Sequence, residues 1–223
     1  MIISFSRLLF LIFTGISYIA TSQSSTLIYE SEADLNWKLG KGWSINTGTG
    51  SRHLIEDDLN FRQLEVSQNT SYQVGFYAKI SLGTTYRWRN NFNQSRKDEV
   101  LLTGQYAYSK KLTKLKVAHR FQSQLRLRSE LSINRNRYRF SLEWPLSGRV
   151  INTKELFLIG STEALWSISK KIKPELGQRF SIEIGYQMSK TIQLITGTQL
   201  RFDNYNLGVS QSIFFNSGIV MSL

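Results

Sequence analysis

Cysteine is absent from this 223-residue chain, and proline and histidine occur only twice each. Without cysteine the chain can form no disulfide and no thiolate metal site, and it offers no cysteine for a lipid anchor, which excludes a lipoprotein. The two prolines, Pro145 and Pro174, lie outside the segments interpreted below as strands. Because proline cannot donate a hydrogen bond to a strand ladder, this distribution favours a β-rich fold.

The N-terminal apolar stretch, residues 8–19, is too short and too weakly flanked to be a spanning helix. It follows Arg7 and precedes the small residues Ala20, Thr21 and Ser22, an arrangement typical of a secretory signal peptide. We therefore predict a signal peptide over residues 1–22, cleaved after Ser22, and a single mature domain over residues 23–223.

Acidic residues are scarce relative to basic ones, and the formal net charge is +12. A basic chain first suggests nucleic acid, but an exported β-rich protein meets little of it, and we expect no nucleic-acid partner. Three interpretations of the charge stay open: contact with the phosphates of outer-leaflet lipid, an interior that favours anions, and charges that are merely solvated.

The chain does contain a period-two alternation of apolar and polar residues, which is clearest over residues 113–128. Leu115, Val117 and Phe121 share one parity there, and Arg120 and Arg126 share the other. Successive side chains of a strand point to opposite faces, and the segment therefore has one apolar and one cationic face. Eleven segments alternate in this way, namely 32–39, 43–53, 62–76, 80–89, 98–108, 114–128, 137–144, 156–167, 178–188, 191–202 and 205–215. Together with the signal peptide they predict an antiparallel, up-and-down transmembrane β-barrel.

Short and long connections alternate between these strands, as they do between the periplasmic turns and outside loops of outer-membrane barrels. Residues 145–155 are long for a turn, and residues 203–204 are short for an outside loop. Eleven strands would leave two parallel edges to close the barrel, which single-chain bacterial barrels usually avoid. We therefore predict about twelve strands, with one more near residues 24–29; ten strands, without residues 32–39, is the alternative.

Tryptophan lies near the predicted strand ends, where an aromatic belt meets each membrane interface. We expect one group near periplasmic turns and another near outside loops: Trp37, Trp43 and Trp144 in the first, and Trp88 and Trp166 in the second.

Arginine and glutamate are concentrated at the positions predicted to face the inside of the barrel. We expect these side chains to face the lumen: Arg87, Arg120, Arg126, Arg137, Arg139, Glu143, Glu163, Arg179, Glu183 and Arg201. Arginine binds carboxylates through a planar fork, and the residues could form a packed salt-bridge network that conducts nothing. They could equally line a narrow, positively biased pore or a pocket for a small anionic solute.

Enzymatic activity is not expected, although a lipid-modifying enzyme stays an alternative. Known outer-membrane lipid hydrolases place histidine and serine side by side on the lipid face. Ser123 is four residues from His119, roughly 13 Å along a strand at about 3.3 Å per residue, and these two cannot bond. His53 is expected in a loop near Asp57 and Asp58, solvated, and no cofactor or metal site is predicted.

Several short motifs carry a resemblance to a known family. They are His119-Arg120-Phe121 with Gln124 and Arg126, Arg137-Tyr138-Arg139-Phe140, Leu142-Glu143-Trp144-Pro145-Leu146, a strand with Glu163, Gln178-Arg179-Phe180 and Gly185-Tyr186-Gln187. Over roughly residues 115–202 the chain resembles the outer-membrane proteins of domain of unknown function 2490. The resemblance implies a barrel in the outer membrane of a Gram-negative bacterium and assigns no activity.

The C-terminus departs from the usual barrel ending, in which an aromatic residue is read by the assembly machinery. Phe214 and Phe215 are followed by residues 216–223, which end in Leu223. Either the last strand extends further or the assembly signal is weak.

The expected partners are outer-membrane lipid, the barrel-assembly machinery and a small anion. A soluble exported lipid-binding barrel is a further alternative, but it would need an apolar interior.

Overall fold

A computed structural model describes residues 25–56, 59–92, 96–129, 131–170 and 173–223. The predicted signal peptide, residues 1–22, lies outside these ranges. The described residues form eleven β-strands: β1 (Thr26–Gly40), β2 (Trp43–Leu54), β3 (Asn60–Gln73), β4 (Ala78–Trp88), β5 (Glu99–Leu112), β6 (Leu115–Arg128), β7 (Leu131–Pro145), β8 (Leu156–Ile168), β9 (Glu175–Gln187), β10 (Ile192–Asp203) and β11 (Ser210–Ser222). No helix in this part of the chain is long and apolar enough to cross a membrane.

The eleven strands form one closed barrel in which consecutive strands pair antiparallel. The first and last strands close it in parallel, from Thr26 opposite Ser212 to Asn36 opposite Ser222. The predictions of twelve and of ten strands are therefore wrong. Residues 26–29 are the beginning of β1 and not a separate strand, because the ladder between β1 and β2 continues without interruption from Ile28 to Lys38.

The parallel seam between β1 and β11 is joined by backbone and side-chain hydrogen bonds. At its end the Leu223 N–H donates to Asn36 O at 2.8 Å, and the Lys38 N–H donates to Leu223 O at 3.2 Å. On its outer face the Tyr29 and Ser217 hydroxyl oxygens are 2.5 Å apart. A parallel ladder satisfies the backbone groups of both edges, and closure leaves no strand edge exposed. Of the two alternatives for the C-terminus, the structure shows the longer last strand, which ends at Ser222.

Two predicted connections are wrong. The long loop expected over residues 129–136 is reduced to residues 129–130, because Leu131 pairs with Arg128 and continues the ladder. The polar composition of this segment suggested a loop, but from Leu131 onwards it belongs to β7. Its inward residue Arg135 donates to Ser167 Oγ at 2.8 Å. The connection expected at residues 203–204 spans residues 204–209 instead, because β11 begins only at Ser210.

The connections lie at two ends of the barrel, which we call the turn end and the loop end. The turn end holds the connections 41–42, 74–77, 113–114, 146–155 and 188–191, and the loop end holds 55–59, 89–98, 129–130, 169–174 and 204–209. The tightest turn has positive φ angles at Gly40, Lys41 and Gly42, a conformation that glycine adopts without strain.

The barrel is apolar outside and charged inside. Outward side chains such as Leu82, Phe121 and Ile182 are 74%, 53% and 57% exposed. The buried residues include Glu99, at 1% exposed, and Arg126, at 5%. Soluble proteins rarely expose contiguous apolar surface of this extent.

The five tryptophans lie on outward positions at the two ends of the strands. Trp37, Trp43 and Trp144 are at the turn end, and Trp88 and Trp166 are at the loop end.

Candidate functional site

Arginine side chains point into the barrel because they lie at inward-facing positions of six strands. β6 and β7 each contribute three arginines on the inward parity, and antiparallel pairing sets Arg120 directly opposite Arg139. Like charges at paired positions repel one another, and they require carboxylates close by. Two buried glutamates meet this need.

Glu163 of β8 is the first of these carboxylates, and it is 2% exposed. Four guanidinium groups reach it from three strands. Arg120 and Arg137 lie 3.0 and 2.6 Å from its oxygens, and Arg139 and Arg179 lie at 3.2 and 3.5 Å.

Glu99 of β5 is the second, and it also holds four guanidinium groups. Arg126 donates to both of its oxygens at 2.9 Å through Nε and Nη2. Arg87, Arg89 and Arg128 complete the group at 3.1, 3.3 and 2.9 Å. Sequence analysis did not single out Glu99, although the inward parity of β5 was a signal for it.

Glu30 of β1 is a third carboxylate, which sequence analysis missed because the first strand was expected to begin at residue 32. It accepts from Arg52 at 2.5 Å and from Arg201 at 3.0 Å. The Arg201 guanidinium also lies over the ring of the buried Phe214, 3.2 Å from its centroid. This cation–π contact and the salt bridge fix Arg201 beside the seam.

The two remaining predicted glutamates have different surroundings. Glu143 bonds with Lys116 at 2.9 Å, and both side chains are partly exposed. Glu183 lines the interior cavity, and no salt bridge to it is found among the described residues.

The interior cavity is rich in positive charge. Its central part, about 390 Å³, is lined by five carboxylates and ten arginines: Glu30, Glu32, Asp34, Glu65 and Glu183, with Arg52, Arg87, Arg89, Arg120, Arg126, Arg135, Arg137, Arg139, Arg179 and Arg201. A wider mouth of about 840 Å³ adjoins it at the loop end and is lined by ten cationic side chains but only two carboxylates, Glu175 and Asp203. Six arginines line both parts.

A buried aromatic side chain lies inside the barrel towards the turn end. The ring of Phe157, which is 1% exposed, occupies the space that a Cβ atom at Gly185 would need. The larger part of the cavity, the mouth, has the greater excess of cationic side chains over carboxylates.

The histidines lie on the outer surface. His119 Nδ1 is 2.9 Å from the Tyr138 hydroxyl, and Ser123 is not among the hydrogen-bond partners of His119 in the described residues. The expectation of a loop position for His53 is wrong: it lies in β2, and its Nε2 is 3.1 Å from Ser51 Oγ. Asp57 and Asp58 lie outside the described residues. Within the ranges that the structure covers, no three histidine or carboxylate side chains are grouped so as to hold a metal ion.

Several solved structures match this chain at low sequence identity. OmpT of Vibrio cholerae matches with 8% identity and a TM-score of 0.42, over 72% of this chain and 54% of that one. An anion-selective porin from Comamonas acidovorans matches with 12% identity and a TM-score of 0.40, over 82% of this chain and 53% of the porin. The siderophore receptor PirA from Pseudomonas aeruginosa matches with 14% identity and a TM-score of 0.30, over 78% and 33%.

This chain thus spans about half the length of the first two structures and about a third of the length of PirA. No curated protein matches the sequence. The profile of one protein family does match, over residues 31–211, which confirms the resemblance found in the shorter motifs. The chain belongs to the family described as protein of unknown function, DUF2490.

Proposed function

We propose that this protein spans the outer membrane of a Gram-negative bacterium and forms a narrow passage for small anions. The membrane location is supported by the apolar outer surface, by the tryptophans at both strand ends and by the signal-peptide pattern of residues 1–22. The turn end faces the periplasm, as short turns do in such barrels, and the wide cationic mouth then faces outside.

The observation that supports anion passage is the excess of cationic side chains over carboxylates among the residues that line the mouth and the adjoining central cavity. A network that served only to hold the strands together would need no more cations than anions. Here the mouth and the central cavity together are lined by fourteen cationic side chains, which exceed the seven lining carboxylates even when the buried Glu99 and Glu163 are added to these. A cleft lined by one sign of charge concentrates ions of the opposite sign.

A structural role of the interior is the second candidate, and a different observation favours it. Glu99 and Glu163 are each almost fully buried and each contact four arginines from several strands. These clusters cross-link the barrel wall from inside. The same buried arginines argue against a soluble lipid carrier, whose interior would be apolar.

Reversal potentials in planar bilayers test the proposal. With a KCl gradient across the bilayer, the wild-type protein is expected to show small currents that reverse towards the chloride potential. Replacing Arg128 and Arg135 of the mouth by glutamine lowers the chloride preference, because both line the wide part of the path. Arg149, exposed in the connection 146–155, provides the control R149Q, which leaves the preference unchanged. Absence of current from folded protein, or a preference for potassium, contradicts anion passage.

A further inference from the structure

A polar cluster interrupts the apolar outer surface near the loop end. It consists of Tyr29 and Ser31 of β1, Ser51 and His53 of β2, and Ser217 of β11, all on outward positions. Tyr29 is opposite His53 and Ser31 is opposite Ser51 in the ladder. Polar side chains that face lipid cost free energy, and they often mark functional sites.

The hydrogen bonds of this cluster fix the state of the histidine. His53 Nδ1 lies 3.2 Å from the carbonyl oxygen of Leu59, which can only accept, and Nδ1 therefore carries a proton. In neutral His53 the other nitrogen, Nε2, is then an acceptor, and Ser51 Oγ is 3.1 Å from it. The Ser51 hydroxyl donates to His53 and accepts from Ser31, whose Oγ is 2.8 Å away.

This is the arrangement that nucleophilic catalysis by serine requires. A serine hydroxyl becomes reactive when an adjacent base accepts its proton and a third group orients that base. Here the Leu59 carbonyl is the orienting group, and the rings of Phe61 and Tyr29 flank the imidazole at 4.6 and 6.2 Å. The rigid strand β2 sets Ser51 and His53 two residues apart on one face.

An apolar groove begins at the same cluster. Its volume is about 550 Å³, and it runs across β11, β10, β9 and the start of β8 on the outer surface. Ser31 and Ser217 lie at one side of it, and its walls include Leu156, Ile184 and Leu194. The groove leads from the polar cluster towards the turn end, the direction in which the acyl chain of an outer-leaflet lipid would lie.

We propose that Ser51 and His53 form a hydrolytic site for acyl esters of lipids in the outer leaflet, with the acyl chain in this groove. Ser51 Oγ attacks the ester carbonyl carbon while His53 Nε2 takes the hydroxyl proton. The carbon–oxygen bond to the alcohol then breaks, and His53 returns the proton to the leaving alkoxide. Water, deprotonated by His53, releases the fatty acid and restores Ser51.

Ser31 has a positioning role in this proposal. Its hydroxyl is the nearest described donor to Ser51 Oγ and can turn towards the oxyanion that develops on the carbonyl. The proposal depends on the membrane location of the barrel but shares no residue with the anion passage. Each can therefore fail without the other.

The test uses purified protein folded in detergent micelles, with folding verified by a heat-dependent shift on a semi-native gel. Two probes are applied: an alkyl fluorophosphonate, which labels activated serines, and dioctanoyl phosphatidylglycerol, from which octanoate release is measured. We expect labelling on the peptide that contains Ser51 and slow release of octanoate. S51A abolishes both, and H53Q lowers the rate by about 100-fold or more, the contribution of a general base.

Matched controls come from the other histidine of the outer surface. H119Q and S123A alter a histidine and a serine that are not bonded to each other, and both variants retain labelling and release. The proposal is overturned if folded wild-type protein is not labelled at Ser51 and releases no octanoate. It is equally overturned if release persists in folded S51A.

Discussion

At the scale of single residues, the barrel depends on carboxylates that are shared among several arginines. The planar guanidinium approaches a carboxylate with two parallel donors, and one carboxylate can accept from several neighbours. Arg126 uses this geometry on Glu99, where both contacts measure 2.9 Å. Glu99 and Glu163 are buried, and each balances the charge of several arginines inside the barrel.

Replacing Glu163 by glutamine tests this balance. The substitution keeps the size of the side chain but leaves four guanidinium groups without their carboxylate. We expect the free energy of unfolding to fall by about 3–5 kcal/mol, the usual cost of removing one partner from a buried charge cluster. Urea titration of the folded protein in lipid vesicles measures the change.

The pair of Glu143 and Lys116 supplies the matched control. Its side chains are 24% and 45% exposed, and exposed pairs contribute about 0–1 kcal/mol. E143Q is therefore expected to have little effect. Equal effects of E163Q and E143Q would show that the buried cluster does not stabilise the barrel.

Asp98, in the connection between β4 and β5, gives a prediction for pH. The backbone N–H groups of Arg89 and Asn90 donate to its Oδ1 at 2.8 and 3.0 Å and hold the pKa of Asp98 below its usual value. Its contribution to stability is therefore present above the pKa of the unfolded state and is lost as the pH falls through the lower folded value.

The variant D98A is thus expected to be less stable than the wild type near neutral pH, with a difference that shrinks in acid. Thermal unfolding followed over the range from about pH 7 to pH 3 measures this difference, which spans the usual aspartate pKa of about 4. A difference that does not change with pH would contradict the role given to the two backbone donors.

The regular alternation of β6 and β7 predicted inward positions for Arg120, Arg126, Arg137 and Arg139, but not for Arg135, which lay in a predicted loop. It did not predict which carboxylates they meet, because Glu99 and Glu163 reach Arg126 and Arg137 across strands whose register the sequence does not specify. The same alternation places Ser51 and His53, two residues apart, on one face of β2. The pair was not predicted because His53 was expected in a loop, although residues 43–53 were predicted as a strand.

At the scale of elements, the seam between β1 and β11 is the feature that sequence reasoning could not predict. Strand patterns identified eleven alternating segments, and the preference for antiparallel closure then led to twelve. A register such as Ala33 opposite Ile219 is set by contacts between the two ends of the chain, and no local pattern encodes it.

An engineered disulfide across the seam tests the closure. Because the chain has no native cysteine, only the introduced pair can form a disulfide within it. Neighbouring strands lie about 4.8 Å apart, within the Cα range of about 4.4–6.8 Å that a disulfide needs. The double variant A33C/I219C is therefore expected to cross-link on mild oxidation. Reduced and oxidised samples are compared on a gel after full denaturation.

The double variant A33C/F215C is the control for this cross-link. Phe215 lies four positions from Ile219 along β11, roughly 13 Å at about 3.3 Å per residue, and no disulfide is expected. An extra strand between β1 and β11 would separate Ala33 from Ile219 by about 10 Å and prevent the first cross-link. Failure of A33C/I219C in folded protein would thus count against the eleven-strand barrel.

At the scale of the whole molecule, the barrel reverses the usual distribution of polarity. Large apolar side chains such as Leu82 and Phe121 are exposed, and charged residues such as Glu163 are buried. In water this arrangement would favour aggregation; in a bilayer the apolar surface is solvated by lipid tails and the charges pair inside. Both the proposed anion passage and the proposed hydrolytic site depend on this orientation.

Oxygen accessibility of nitroxide labels along β6 tests the orientation most directly. Single cysteines are introduced one at a time over residues 117–124, labelled, and measured in lipid vesicles. Oxygen concentrates in hydrocarbon, and we expect high accessibility at Val117, His119, Phe121 and Ser123 and low accessibility at the residues between them. An accessibility profile without this period of two, or with maxima at Arg120 and Gln122, would contradict a barrel whose outer face contacts lipid.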